Sequence, residues 1–308
     1  MEGSMAAVYV QQIINGLTIG SVYALIALGY TMVYGVLEMI NFAHGDVYMV
    51  GSFLGLLVLA LMGPSASLVG GSVALVLALT LLGAMAGCAL LGVGIERLAY
   101  RPVRGTSRLG PLIAALGVSL FLQNAAMLIV GTRPKAFPPL IEKHLYHVAG
   151  AVFTNLQVLI LAASLGLMLL LDQFVRRTRW GRAMRAVAQD AEVASFMGVE
   201  VNTVVILTFL IGSVLAGGAG IMVGLYYGIV DFFMGYIAGL KAFTAAVLGG
   251  IGNLRGAMLG GLLLGLAESF GAGFIGAQWR DVIAFAVLIT VLVFRPGGVL
   301  GEQLPEKV

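Results

Sequence analysis

The sequence predicts an all-α fold: a polytopic bundle of 8–9 transmembrane spans, some broken or re-entrant, with one short helix on the cytoplasmic side. Three observations carry this reading. Of 308 residues, 60% are hydrophobic and only 10% charged, and mean hydropathy is +1.04, which no soluble domain of this length would show. Apolar runs of about 18 residues or more recur along the chain, the length that crosses a bilayer core. The arginines gather in two loops between such runs, where they set orientation. Forty-four glycines let helices in such a bundle approach closely.

The elements follow in order. No Lys or Arg precedes Arg97, so there is no basic n-region and no cleavable signal peptide is expected. Apolar segments at 8–35, 46–62 and 67–95 read as the first three spans. The loop 97–108 then carries Arg97, Arg101, Arg104 and Arg108. Residues 110–131 form the fourth span. The polar connection 132–155 holds Pro134, Pro138, Pro139, His144 and His147. Residues 156–172 form the fifth span, and a second arginine loop follows. The last four spans are 202–228, 237–252, 256–271 and 281–294, before a tail that begins Arg295-Pro296-Gly297-Gly298. Gly249, Gly250, Gly252 and Gly256 weaken a helix and permit a sharp turn between the seventh and eighth.

Both arginine loops should be cytoplasmic, and they agree, because two spans separate them. The 132–155 connection is then external and the C-terminus cytoplasmic. Counting back from Arg97 gives nine spans and an external N-terminus; a re-entrant 46–62 gives eight and an internal one. An internal echo supports paired halves. Gly20-Ser21-Val22-Tyr23-Ala24 leads to Tyr34-Gly35-Val36, and Gly212-Ser213-Val214-Leu215-Ala216 leads to Tyr227-Gly228-Ile229. A polar break follows each, and on the nine-span count the two units run in opposite directions. Repeats that meet at broken helices are common in transporters.

Polar residues in the oily part are the candidate functional ones. Glu38 to Asp46 brings Asn41, His44 and Asp46 together, either as a cytoplasmic turn or as ionisable groups facing a path inside the protein. One His and two acids on a short turn lack the spacing of a helix-borne metal pair, and no nucleophile, base and orienter are placed for hydrolysis. Lys241 opens an apolar run with Thr244 and would snorkel to the interface. Asn15, Gln123, Asn124 and Glu268 read as interhelical hydrogen-bonding residues. The single cysteine, Cys88, excludes an intramolecular disulfide and reads as a small packing residue. No Gly-Lys-Ser/Thr occurs, so any ATP that drives the protein binds another chain.

The second arginine loop is the longest polar interruption. Arg176, Arg177, Arg179, Arg182 and Arg185 lie within ten residues. Helix formers then run from residue 182 to 197 without Pro or internal Gly. Val187, Ala191, Ala194 and Gly198 recur at helical steps as a small, smooth face, and Gly198 is placed as a C-cap. Glu192-Val193-Ala194-Ser195-Phe196-Met197-Gly198 resembles the coupling loop of ABC importer permeases, with Val where that pattern has its first Ala. Without that resemblance, it is a charged interfacial loop that sets topology.

Longer matches make the resemblance specific. Val33-Tyr34-Gly35, Ile40-Asn41-Phe42-Ala43-His44-Gly45-Asp46-Val47-Tyr48-Met49, Ile95-Glu96-Arg97-Leu98-Ala99-Tyr100-Arg101-Pro102 and Phe121-Leu122-Gln123-Asn124 are similar to branched-chain amino acid ABC permeases of the LivH type. So is Gly239-Leu240-Lys241-Ala242-Phe243-Thr244 through Gly252. The matches span essentially the whole chain, in order. The resemblance implies one transmembrane permease domain over 1–308, with a coupling loop at 173–201, in a bacterial inner membrane. It implies a LivM-like second permease, two cytoplasmic ATPases (LivG-like and LivF-like) holding ATP and Mg, and a periplasmic amino-acid-binding protein. The bundle is solvated by membrane lipid; no nucleic acid and no cofactor on this chain are expected. Substrate-path candidates are Asn41, His44, Asp46, Lys241 and Thr244; coupling candidates are Arg182, Arg185, Glu192, Ala194 and Gly198. Urea and short-amide permeases share the Asn-(Phe/Leu)-Ala-His-Gly segment, so they remain an alternative, as does a secondary transporter coupled through intramembrane ions. The resemblance carries over no catalytic residue.

Overall fold

The computed structural model describes residues 2–63, 73–105, 109–148 and 150–301. Thr106, Ser107 and Arg108 of the first basic loop, and residues 67–72 of the expected third span, lie outside the described residues. Eleven α-helices carry the described part of the chain. They are α1 (Glu2–Leu37), α2 (His44–Met62), α3 (Val73–Ile95, continued by a π-helical turn at Glu96–Tyr100) and α4 (Gly110–Val130). Then come α5 (Asn155–Arg177), α6 (Arg179–Gln189), α7 (Ala191–Phe196), α8 (Val201–Tyr227), α9 (Met234–Gly249), α10 (Leu254–Phe274) and α11 (Arg280–Phe294). Four short strands lie in loops: β1 (Lys135–Ala136), β2 (Leu145–Val148), β3 (Ala151–Thr154) and β4 (Ile229–Val230). β1 pairs antiparallel with β4, and β2 with β3.

Among the described residues, eight helices are long and apolar enough to cross a membrane, so the chain is a multi-pass membrane protein. Over the described residues, each of the nine expected spans is mainly helical. The short one is α9, with 16 residues; the 46–62 segment belongs to α2, whose 19 residues suffice to span. Local chemistry sets several ends. The Thr154 hydroxyl accepts from the Gln157 N–H while the Gln157 side chain accepts from the Thr154 N–H, a reciprocal cap that starts α5. Asn253 caps α10 through the Gly256 N–H, 3.1 Å away, after the predicted sharp turn, where Gly250 and Gly252 take φ of +105° and +95°.

The core is built from two inverted units, α1-α2-α3 and α8-α9-α10. The third helix of each packs along the first helix of the other, α10 on α1 and α3 on α8; these are the two most extensive helix pairings. Small residues make them close. A Cβ on Gly20 would lie 2.9 Å from the Gly261 carbonyl oxygen, and one on Gly217 would lie 3.0 Å from Cys88 Sγ. Cys88 is thus the buried packing residue that its context suggested. The units run in opposite directions. The start of α1 meets the 132–155 connection, where Gln11 accepts from the Val152 N–H at 2.8 Å. The start of α8 instead meets the first arginine loop, where Arg104 donates to Asn202.

The arginine stretch departs from expectation. One helix over 182–197 was anticipated; α6 and α7 form instead, broken at Asp190, which is extended (φ −161°, ψ 109°). The Asp190 carboxylate accepts from the N–H groups of Glu192 and Val193, each at 2.9 Å. Capping a new helix wins here over continuing the old one, because Asp satisfies orphan N–H groups better than it serves a helix interior.

Candidate functional site

Each unit breaks after its first helix, and these two junctions frame the site. The first junction, 38–43, leads into α2. Asn41, His44 and Asp46 are all buried, so the cluster is not a solvated turn. The Tyr100 hydroxyl donates to Asn41 at 2.8 Å. Gln123 donates to Asp46 and to Ser119, both at 3.1 Å, an interhelical role as expected. The His44 ring lies edge-on to Tyr30, 5.2 Å between centroids, and fills the space a Cβ on Gly29 would need. Gly45 admits α9: a Cβ there would lie 2.4 Å from the Gly235 carbonyl oxygen and 2.6 Å from Gly239 Cα. Tyr30 and Tyr100 were not singled out in the sequence; their ring and hydroxyl partners lie far away along the chain.

The second junction, 228–233, leads into α9 and borders a cavity of about 470 Å³. Its wall is mostly apolar and aromatic, with Tyr23, Tyr48, Tyr226, Tyr227 and Met234 prominent and Asp231 and Lys241 as charged groups. Such a cavity is the default binding-site shape. Lys241 alone among the five substrate-path candidates lines it. Asn41, His44 and Asp46 belong to the first junction, and the buried Thr244 hydroxyl donates to the Leu240 carbonyl of its own helix at 2.9 Å.

Lys241 does not snorkel. Its Nζ lies 2.7 Å from Glu268 Oε1 and 2.7 Å from Asp281 Oδ1, and its side chain is 7% exposed. A buried ammonium is tolerated only with such partners. Glu268 is therefore interhelical, as expected, and so is Asn15, which accepts from Gln157 at 3.1 Å. Asn124 is not: it is exposed and donates to Leu120 one turn back. A second, polar recess of about 100 Å³ shares Ile19, Tyr226 and Tyr227 with the cavity and adds Gln12, Asn15, Glu268, Ser269 and Arg280.

The opposite face carries the α6–α7 corner. The small, smooth face expected from Val187, Ala191, Ala194 and Gly198 does not form: Val187 and Ala194 are buried against this chain's own core, while Ala191 and Gly198 are exposed. Three apolar side chains point outward instead: Val193, Phe196 (79% exposed) and Met197 (80% exposed). The reason is the break at Asp190, which turns the periodic face. Arg185 donates to the Val175 carbonyl; Arg182 and Glu192 are exposed. Gly198 caps the corner as expected, with φ of +85° and the Val199 N–H bonded to the Ala194 carbonyl at 3.0 Å.

Comparison with known proteins gives a consistent picture. The family described as branched-chain amino acid transport system / permease component matches residues 12–292. The high-affinity branched-chain amino acid transport system permease protein BraD of Pseudomonas aeruginosa is 48% identical over 307 residues, covering 97% of this chain and 98% of the relative. The LivH protein of Escherichia coli K12, with the same description, is 45% identical over 305 residues, covering 97% and 98%. The autoinducer 2 import system permease protein LsrC of Klebsiella pneumoniae is 37% identical over 136 residues, 42% of this chain and 40% of the relative. No solved structure matches.

Proposed function

The chain belongs to the family of branched-chain amino acid transport permease components, and on that premise we propose that it is the membrane-spanning permease subunit of an ATP-driven importer of branched-chain amino acids. The observation that carries this reading is the apolar, aromatic cavity of about 470 Å³, placed beside the second junction and away from the α6–α7 corner. A branched aliphatic side chain is matched by that wall, and the scarcity of strong polar contacts lets the substrate leave. Urea or a short amide has no aliphatic group to fill that apolar wall.

On this reading the cavity face is periplasmic and receives substrate from a binding protein, and the N-terminus lies on that face. The arginine loops and the C-terminus are cytoplasmic. Val193, Phe196 and Met197 seat the corner in one of two ATPases, with Arg182 and Glu192 at the rim, while buried Ala194 packs the corner onto the bundle and exposed Gly198 ends it. ATP and Mg belong to those partners, and this chain performs no chemistry of its own. A second, LivM-like permease covers part of the exposed apolar surface. Motion of the ATPases would shift the bundle between a state open to the cavity face and one open to the corner face; the substrate biases that equilibrium only through differential affinity.

Reconstitution tests the reading. Proteoliposomes holding the complex co-purified from native membranes, supplied with the binding protein, should take up leucine only when ATP is present on the ATPase side. Uptake that persists after ATP depletion would establish a secondary transporter instead. Uptake of urea or acetamide without leucine would move the substrate assignment to the amide branch.

A further inference from the structure

We infer that the polar recess beside the cavity is the subsite for the zwitterionic head of the substrate, with Arg280 taking its carboxylate and Glu268 its ammonium, while the large cavity takes the aliphatic side chain. The inference rests on the reading that the substrate is an amino acid, and it adds which residues select the head group.

Two buried atoms of opposite character lack partners among the described residues at this recess: Glu268 Oε2 and Arg280 Nε. Both residues line it. Native structures rarely leave such atoms unpaired, so each calls for an occupant. Glu268 is 4% exposed; its Oε1 is taken by Lys241 at 2.7 Å and the Tyr23 hydroxyl also neighbours its carboxylate, which leaves Oε2 as the oxygen without a hydrogen bond among the described residues. The recess itself is lined by one charge of each sign, Arg280 and Glu268, and Lys241 links Glu268 to Asp281, 2.7 Å from each. A simple anion would face Glu268 and a simple cation Arg280, whereas a zwitterion offers each its opposite charge. Gln12, Asn15 and Ser269 add neutral polar groups at the wall.

Size agrees. A recess of about 100 Å³ has room for roughly three waters, or for an amino and a carboxyl group on one carbon. The wall it shares with the cavity, Ile19, Tyr226 and Tyr227, puts polar and apolar halves side by side, as they are in leucine.

The test uses the purified complex with its partner subunits in nanodiscs, without binding protein, and ligand-observed NMR with three probes. These are leucine, 4-methylpentanoate (no ammonium) and 3-methylbutylamine (no carboxylate). The unaltered complex should bind leucine more tightly than either analogue. Arg280→Gln should weaken leucine and 4-methylpentanoate about tenfold, as loss of a charge-assisted hydrogen bond does, and leave 3-methylbutylamine unchanged. Glu268→Gln should weaken leucine and 3-methylbutylamine and leave 4-methylpentanoate unchanged. If Glu268→Gln, which also disturbs Lys241, fails to assemble, the Arg280→Gln arm decides. Unchanged leucine binding in the variants, equal weakening of all three probes, or no preference for leucine in the unaltered complex would each overturn the inference, including the outcome that only water fills the recess. ATP-dependent leucine uptake by the same unaltered complex is measured in parallel. Its failure counts against the transport reading; its success with the wrong probe pattern counts against this inference alone.

Discussion

The two junctions are built alike and closed differently. Each follows a long buried helix, turns through a left-handed residue and enters a shorter helix, and the two shorter helices cross at glycines. The left-handed residues are Glu38, whose N–H bonds the Tyr34 carbonyl at 2.8 Å, and Gly228, whose N–H bonds the Gly224 carbonyl at 2.9 Å. At the first junction side chains do the closing: Tyr100 on Asn41, Gln123 on Asp46, His44 against Tyr30. At the second, polar closure is mostly main chain: Lys135 pairs with Val230, Ala136 with Ile229, the Phe137 N–H reaches the Gly228 carbonyl at 2.9 Å, and the buried Phe137 ring packs against Gly224. A buried side-chain network is costly to open. A two-residue strand pair offers few bonds to break and opens at lower cost. An inverted repeat thus yields one sealed face and one face with a cavity, the asymmetry that an alternating-access permease needs.

The largest effect should come from the point where the junctions meet. Gly45→Val drives a branched side chain into the backbone of Gly235 and Gly239; neither can retreat, and overpacking against main chain exceeds about 3 kcal/mol. We expect almost no protein in the membrane, scored by size-exclusion of a fluorescent fusion. Normal abundance and elution would mean that the two helices do not cross there.

Next comes Lys241, on the helix that follows the second junction. Lys241→Met strands Glu268 in the core and should cost about 3 kcal/mol, read as thermal unfolding of purified complex. Lys241→Met with Glu268→Gln removes both charges and should recover most of that loss. A double variant no better than the single one would show that the pair is not the source of the cost.

A smaller effect separates side-chain from main-chain closure. Tyr100→Phe leaves Asn41 without its donor and should destabilise by about 1–2 kcal/mol. Lys135→Ala at the second junction removes an exposed side chain and keeps every backbone bond, so it should stay within about 0.5 kcal/mol. Equal losses from the two would erase the distinction drawn between the junctions.

What the sequence revealed follows the same division. Apolar runs showed the spans because length and composition suffice for them, and Asn41, His44 and Asp46 stood out because polar groups in an oily chain do. Lys241 was misread because its partners, Glu268 and Asp281, lie on other helices and only packing brings them within 2.7 Å. The cavity tyrosines were passed over because single aromatics in spans carry no spacing signal. The break at Asp190 was missed because Asp within a run of helix formers costs little by propensity; its advantage appears only when its carboxylate caps α7. The closing of the second junction left no trace, since β1 and β4 pair through main chain that any residue supplies.

The echo between the halves was legible but misregistered, and the misregistration makes the finest test. Tyr34-Gly35 was matched to Tyr227-Gly228, yet Gly35 is helical. The structural counterpart of Gly228 is Glu38, with φ of +54° against +72°. A left-handed residue with a Cβ carries about 1–2 kcal/mol of strain that glycine avoids. Nothing lies within 4 Å of a Cβ placed on Gly228, so Gly228→Ala adds strain without a clash and should cost about 1 kcal/mol. Glu38 is exposed, so Glu38→Gly removes strain without emptying the core. It should gain slightly less than about 1 kcal/mol, because glycine also loses more backbone entropy on folding. The pair should therefore shift the unfolding temperature in opposite directions. Shifts of the same sign would mean that the two turns are not equivalent and that the inverted repeat ends at the helices rather than running through the junctions.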